Sequence, residues 1–197
     1  MDQQISMEKR DGVIVVNPKS RAQWRSWLER NHAKLDNAWL VLYKKGHPEF
    51  VLDNPAAVEE GLCFGWIDSK VIRRDEDSRL QFFSKRKPKS NWSRINRERV
   101  KKLTDAGLMR PAGQAMVDLA KRTGTWTAME GVENMEIPPD LAALLKKNKK
   151  AAANFHAFSP SARKLILTWI MSAKRPGTRQ ARVEKTVTDA ADNLKAH

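Results

Sequence analysis

The sequence of 197 residues contains one cysteine, Cys63, one tyrosine and no long apolar run. A single cysteine excludes an internal disulfide and a zinc site built from several cysteines. The longest apolar runs, such as Ala38–Tyr43, are much shorter than the roughly 20 residues that cross a bilayer. The first twelve residues lack the apolar stretch of a secretory signal. We therefore expect a soluble cytoplasmic protein without a membrane span.

Sequence patterns of catalysis are also absent. The chain contains no H-E-x-x-H, no G-x-S-x-G and neither of the glycine-rich nucleotide-binding patterns. Cys63 near the predicted end of a helix is interpreted as a small buried hydrophobe, and Glu59-Glu60 as part of a helix surface. We predict no catalytic residue, no metal site and no cofactor, and the sequence favours a non-enzymatic protein.

Acidic residues are scarce relative to basic ones, and the imbalance is local. The formal net charge is +14, yet residues 1–83 contain thirteen Lys/Arg and thirteen Asp/Glu. Residues 84–125 contain twelve basic and three acidic residues, and nine of the basic ones lie in Ser84–Lys102. A localised excess of one charge indicates an anionic partner, which could be a protein, a phosphorylated ligand or nucleic acid.

Strand patterns occur early in the chain and helix patterns later. The predicted strands are Val13–Val16, Ala38–Tyr43, Trp66–Arg73 and Arg79–Ser84, the last two as antiparallel neighbours. The predicted helices are Arg21–Arg30 capped by Ser20, one starting at Asn54-Pro55, Asn91–Ala106, Pro111–Thr123, Pro139–Lys147, one opening at Ser159-Pro160, and Thr178–Leu194. Lys146–Ala153 is interpreted as a helix end and loop. This order predicts an α+β fold with a small, mostly antiparallel sheet and a C-terminal helical region.

The acidic segment that ends in Pro138-Pro139 is the best candidate for a linker. We predict an α+β domain over residues 1–125, a linker over 126–139 and a helical region over 140–197. The sequence leaves open whether this helical region packs on the first part as a single domain.

One face of the predicted helix Asn91–Ala106 is basic. Arg94, Arg97 and Lys101 fall together opposite an apolar sector that contains Trp92, Ile95, Val100, Leu103 and Ala106. Lys85, Lys87 and Lys89 precede the same helix start, where the helix dipole disfavours cations. This conflict favours a candidate anion surface formed by Lys85, Lys87, Lys89, Arg94, Arg97 and Lys101, although a solvated helix face gives the same pattern.

The inner side of this helix predicts a second, more enclosed site. Asn96 and Arg99 fall beside the apolar sector, and a buried Arg needs a carboxylate partner, for which Asp68 is the candidate. A structural ion pair satisfies this pattern. The alternative is a ligand pocket formed by Trp66, Asp68, Arg86, Ser90, Trp92, Asn96 and Arg99.

Several sequence blocks resemble the YdeI/OmpD-associated family of bacteriocin-protection proteins. They include Leu62–Asp68, Phe83–Ser93, Pro111–Gly113, Ser159–Ser161 and Ala173–Arg175, and they run in order through most of the chain. Lys85 and Leu108 depart from the residues expected at their positions. The resemblance implies resistance to bacteriocins or cationic antimicrobial peptides and association with a porin, without an established reaction.

Three functional hypotheses follow from the sequence and the resemblance. The first is a non-enzymatic bacterial stress or envelope-resistance protein that binds an anionic partner through Ser84–Lys102. The second is a nucleic-acid-binding protein, which the charge favours and the apolar placement of Trp92 disfavours. The third is an enzyme or small-ligand binder that uses a pocket of Asp68, Arg86, Asn96 and Arg99.

Overall fold

The computed structural model describes residues 8–195, which form two compact units that divide between Trp126 and Thr127. Residues 1–7, in which we expect no secretory signal, and residues 196–197 lie outside the described residues. All strands of the described chain belong to the first unit, and the second unit is helical. The predicted α+β class with a mostly antiparallel sheet and C-terminal helices is confirmed.

The first unit is a five-stranded sheet with four helices. Its strands follow the order β1-β2-β3-β5-β4, in which β2 and β3 are parallel and the other pairs antiparallel. The elements are β1 (Glu8–Arg10), β2 (Val13–Val16), α1 (Arg21–Asn31), β3 (Asn37–Tyr43), α2 (Asn54–Cys63), β4 (Trp66–Arg73), β5 (Ser78–Lys85), α3 (Arg94–Asp105) and α4 (Pro111–Thr123).

The central strand β3 is buried on both faces, as its continuous apolar sequence predicts. Ala38, Leu40 and Leu42 join the large core under the helices. Trp39 and Val41 point to the opposite face, where they pack with Leu80 and Val15. Because side chains alternate along a strand, one run of apolar residues supplies both cores.

Side-chain caps fix the starting residues of α1 and α2. The Ser20 side chain accepts the Gln23 N–H, as predicted, and the Gln23 side chain accepts the Lys19 N–H at 2.7 Å. The sequence Asn54-Pro55 predicts Asn54 as the N-cap of α2, but this cap is wrong, because Asp53 is the N-cap and accepts the Ala56 N–H at 2.8 Å. The Asp53 carboxylate therefore satisfies the first turn of α2.

Helix α3 begins three residues later than predicted. Ser93 is its N-cap, so Trp92 precedes the helix and does not belong to its wheel. Ile95, expected in the apolar sector, is 60% exposed, whereas Val100 and Leu103 are buried. The predicted sector included Trp92 by assuming a helical phase that the chain does not have at that residue.

Helices α1 and α2 are joined by an ionic cluster that the sequence did not predict. Glu60, expected on a helix surface, is buried, and its carboxylate binds Arg21 Nε at 2.6 Å and Arg25 Nη1 at 2.7 Å. The neighbouring Glu59 is more exposed and contacts Arg21 alone, at 3.0 Å. Two guanidinium groups thus compensate one buried carboxylate.

The second unit has its own apolar core. Its helices are α5 (Glu130–Glu133), α6 (Pro139–Lys147), α7 (Lys149–Ala157), α8 (Pro160–Met171) and α9 (Pro176–Ala191). The segment expected to be a linker contains α5, and Val132 is buried in this core. The predicted loop at Lys146–Ala153 is wrong, since Asn148 caps a new helix by accepting the Ala151 N–H.

Candidate anion-binding site

The loop between β5 and α3 is held to the sheet by backbone hydrogen bonds. The Arg86 N–H donates to the Gly65 carbonyl at 2.9 Å, which continues the pairing of β5 with β4. The Ser90 N–H and hydroxyl both donate to the Lys87 carbonyl, at 3.0 and 2.8 Å. The Trp92 N–H donates to the Thr125 carbonyl at 3.2 Å. These bonds give the basic loop, residues 86–93, a defined conformation.

Arg86 lies beneath this loop against an aromatic ring. Its guanidinium carbon is 3.7 Å from the centroid of the Trp92 ring, and Nη2 donates to the Asn91 carbonyl. Trp92 is buried and packs against Trp126 with a centroid distance of 5.0 Å. The stacked ring fixes the plane of the guanidinium and contributes a cation–π attraction.

The positive charge of Arg86 is incompletely compensated. Its side chain is 6% exposed, its Nε is buried without a hydrogen-bond partner, and no described carboxylate forms an ion pair with it. Desolvation lowers the pKa of Arg86 to about 10, against a smaller opposing effect of the Asp68 charge. A buried cation without a bonded anion is energetically unfavourable, so the fold retains it at a cost.

Three other residues of the predicted pocket, Trp66, Asn96 and Arg99, form hydrogen bonds that do not involve Arg86. Trp66 is fully buried, and its indole donates to the His32 carbonyl at 3.4 Å. Arg99 donates to the Asn96 side chain at 2.9 Å, one turn earlier on α3. The expected ion pair between Arg99 and Asp68 is not formed in the described chain. The Asp68 charge instead acts on Arg86, where it opposes the lowering of the pKa.

Arg86 lines a small cavity of about 270 Å³ in the first unit. The remaining lining residues are His32, Ala33, Phe64, Gly65, Lys85, Ala112 and Met116. None of these was predicted as a ligand residue except Lys85, which was assigned to the outer surface. The sequence signals that could have indicated this wall are Gly65 before β4 and the Pro111-Ala-Gly113 start of α4.

Gly65 makes this wall possible. Its φ of +75° is a conformation that residues with a Cβ rarely adopt, and a Cβ there would lie 3.1 Å from the Ala112 carbonyl oxygen and from Met116 Cγ. The glycine thus permits α4 to approach the start of β4.

The lysines of the predicted anion surface differ in their contacts. Lys85 donates to the Ala33 carbonyl and to Asp36, at 3.1 and 3.0 Å. Lys87, Lys89 and Lys101 are exposed and form no ion pair with any described residue. We call these three the open lysines.

The two arginines of this surface lie near the start of α3. Arg97 is partly buried, and its Nη1 donates to the Trp126 carbonyl at 2.9 Å. Arg94 is exposed in the first turn of the helix. Five of the six residues predicted for this surface are therefore exposed, whereas Arg97 is partly buried and bonds the protein backbone.

Other chemistry receives little support from the described residues. No group of three or more His, Cys, Asp or Glu in residues 8–195 is arranged to hold a metal ion. Cys63 is fully buried, and burial raises the pKa of its thiol despite the nearby Arg25. A buried thiol held in its neutral form is a poor nucleophile. In the same part of the chain, no helix is sufficiently long and apolar to traverse a bilayer.

Two protein families match different parts of the chain. The first, described as a domain of unknown function (DUF8412), matches residues 16–116. The second, described as "Bacteriocin-protection, YdeI or OmpD-Associated", matches residues 134–193. No curated protein and no solved structure matches the chain.

The two matches divide the sequence blocks that suggested a family. Leu62–Asp68, Phe83–Ser93 and Pro111–Gly113 lie in the first match, whereas Ser159–Ser161 and Ala173–Arg175 lie in the second. The resemblance to the bacteriocin-protection family is thus confirmed over residues 134–193 and does not extend over most of the chain. The chain belongs to the DUF8412 family through its first unit, and its second unit carries the match to the bacteriocin-protection, YdeI or OmpD-associated family.

Proposed function

We propose that this protein is a non-enzymatic bacterial resistance protein that binds an acidic partner protein through its basic loop and helix α3. The match of residues 134–193 to a bacteriocin-protection family supports the resistance role. The family description names an association with OmpD, which supports a protein as the partner.

The observation that carries the proposal is the set of open lysines. Lys87, Lys89 and Lys101 are exposed and have no carboxylate partner among the described residues. Unpaired surface cations attract an acidic surface at long range and accelerate association. The hydrogen bonds within the loop hold Lys87 and Lys89 on a defined backbone, which reduces the entropy lost on binding.

The same charge argues against direct capture of a cationic peptide. A basic surface repels a basic bacteriocin, so protection by this protein acts through the acidic partner. Nucleic acid is the second candidate because the loop and α3 are strongly basic. The burial of Trp92 counts against base stacking on this residue, which single-strand binders commonly use.

Survival of a sensitive bacterial strain under bacteriocin or cationic peptide tests the role. We expect expression of the natural chain to increase survival and Lys87→Glu/Lys89→Glu to abolish the increase. The matched control is Lys149→Glu/Lys150→Glu, which makes the same charge change at two exposed lysines of α7. Equal protection by all three proteins would contradict a role for the basic loop.

Oligonucleotide binding separates the two candidate partners. We expect no measurable binding of single- or double-stranded oligonucleotides at physiological salt. At low salt we expect weak binding, which Lys87→Glu/Lys89→Glu and the control Lys149→Glu/Lys150→Glu should reduce to the same extent. Tight binding that falls steeply with salt and is lost only in Lys87→Glu/Lys89→Glu would instead support nucleic acid.

A further inference from the structure

We infer that the cavity beside Arg86 is a binding site for a small organic carboxylate with an apolar body. This inference does not rest on the open lysines, which lie outside the cavity. It depends on the Arg86 side chain, on the composition of the cavity wall and on the charges that surround it.

Arg86 has hydrogen-bonding capacity that the described protein does not use. The guanidinium has five N–H donors, and its one described hydrogen bond runs from Nη2 to the Asn91 carbonyl. The Nε donor is buried and has no acceptor, so the donors left for a ligand are those of the two terminal nitrogens. Arg86 is only 6% exposed, and it lines the cavity. A carboxylate that enters the cavity would supply a negative charge beside the buried guanidinium, and hydrogen bonds between ionised partners are the strong ones.

The Arg86 guanidinium is already oriented before any ligand binds. Stacking on Trp92 at 3.7 Å holds its plane, so binding would not require ordering of a flexible side chain. A planar, fixed donor fork matches a carboxylate, whose two oxygens lie in one plane.

The cavity wall favours an apolar body behind the carboxylate. Phe64 and Met116 supply apolar surface, and Ala33 and Ala112 are small. A volume of about 270 Å³ corresponds to roughly nine waters of liquid volume, which limits the ligand to a small molecule. Most small-molecule pockets combine such an apolar wall with a few polar groups that set orientation.

The surrounding charges favour a monoanion over phosphate. Lys85, the other cation of the wall, is already paired with Asp36 at 3.0 Å. Asp68 acts on Arg86 electrostatically and reduces the net positive potential. The His32 ring faces Phe64, and its Nδ1 lies 2.9 Å from the Leu28 carbonyl, so only Nε2 is left for a ligand. Arg86 is therefore the one cation of the wall without an ion pair among the described residues, which suits a single carboxylate better than the higher charge of phosphate.

Titration of the full chain with sodium benzoate at constant ionic strength tests this site. We expect saturable 1:1 binding by calorimetry, together with a shift of the Arg86 Nε–H resonance in a nitrogen–proton correlation spectrum. Arg86→Lys should weaken benzoate binding at least about tenfold, because lysine keeps the charge and loses the planar fork. Inorganic phosphate should bind more weakly than benzoate.

A pair of wall variants keeps the test decisive if Arg86→Lys does not fold. Met116→Glu places a carboxylate in the cavity and should abolish benzoate binding, whereas Met116→Leu conserves the volume and should retain it. Lys87→Glu/Lys89→Glu should bind benzoate within about twofold of the natural chain, which separates this site from the partner surface. Absence of saturable binding, equal affinity in Arg86→Lys or Met116→Glu, or tighter binding of phosphate would overturn the inference.

Discussion

Arg86 is the residue at which folding and binding demands conflict. Its burial lowers the pKa to about 10, which corresponds to a disadvantage on the order of 3 kcal/mol for the charged form in the folded state. The Trp92 stack and the bond to Asn91 offset part of this cost. A residue retained under such a disadvantage is more readily explained by a ligand than by stability.

We predict that Arg86→Met is at least as stable as the natural chain at pH 7 and gains on the order of 1 kcal/mol. Methionine fills much of the same space without a buried charge, and replacement of buried ions by apolar groups is commonly neutral or stabilising. Chemical denaturation of both proteins measures the difference. A loss of several kcal/mol would mean that the Trp92 stack and the Asn91 bond outweigh desolvation.

The pH dependence of this gain has a defined sign. Below pH 10 the folded and unfolded states both keep the Arg86 proton, so the full cost of burying the charge is present. Above about pH 10 the folded state loses the proton before the unfolded state does, and the natural chain gains stability relative to the variant. The advantage of Arg86→Met should therefore shrink between pH 9 and pH 11 in paired denaturation curves, and an advantage that grows over this range would contradict the assignment.

For individual residues, the sequence indicated which ones belong to the candidate site but not which of them contact one another. It placed Arg86 and Trp92 in one polar pocket near Asp68, and it assigned the Asp68 carboxylate to Arg99. The error arose because a helical wheel gives a direction around an axis and no distance to another element. In the structure Arg99 donates a hydrogen bond to Asn96 on the same helix, and the buried arginine is Arg86, which directly follows β5.

At the scale of elements, polar and backbone contacts determine how α2 packs. The buried Glu60 joins α2 to α1, and the backbone of Gly113 brings α4 against the end of α2. Neither contact is evident from periodicity. Glu60 looks like its neighbour Glu59 in sequence, and the difference between them depends on which side of α2 meets α1.

We predict that Glu60→Gln destabilises the first unit by about 2 to 4 kcal/mol. The substitution leaves Arg21 and Arg25 without the carboxylate that compensates them, and breaking a buried ion pair from one side is costly. Glu59→Gln, in which the lost contact is partly exposed, should cost less than about 1 kcal/mol. Denaturant midpoints of the two variants check this, and equal losses would mean that burial does not distinguish the two carboxylates.

We predict that Gly113→Ala destabilises the protein by more than about 2 kcal/mol. A Cβ at this position would lie 2.3 Å from the Cys63 carbonyl oxygen and 2.5 Å from that of Leu62, so α4 would have to move away from α2. Gly177→Ala in α9 is the matched control, because nothing lies within 4 Å of its Cβ and alanine favours a helix. Thermal melting should show a loss in Gly113→Ala and no loss in Gly177→Ala, and a neutral Gly113→Ala would refute the close packing.

At the scale of the whole molecule, the chain consists of two units with separate cores. Two different families match them, over residues 16–116 and 134–193. The segment that carries the candidate site belongs to the first unit, whereas the match to a resistance family belongs to the second. The proposed function therefore combines a binding surface in one unit with a family role indicated by the other.

We predict that residues 127–197 fold as an isolated polypeptide. Their buried core includes Leu141, Phe155, Ile170 and Val183, which come from four helices of this unit. A self-contained core of this kind supports cooperative folding. Circular dichroism of the fragment should show helix and one cooperative thermal transition, and a fragment without cooperative melting would show that its core needs the first unit.

The sequence by itself determined the α+β class, the principal strands, most helix starts and the local excess of positive charge. Those features depend on residue spacing, caps and composition, which act over a few neighbouring positions. The tertiary structure alone decided the burial of Arg86 and Glu60 and the cavity beside Gly65. Each of these depends on how distant segments approach one another, and no local pattern encodes that distance.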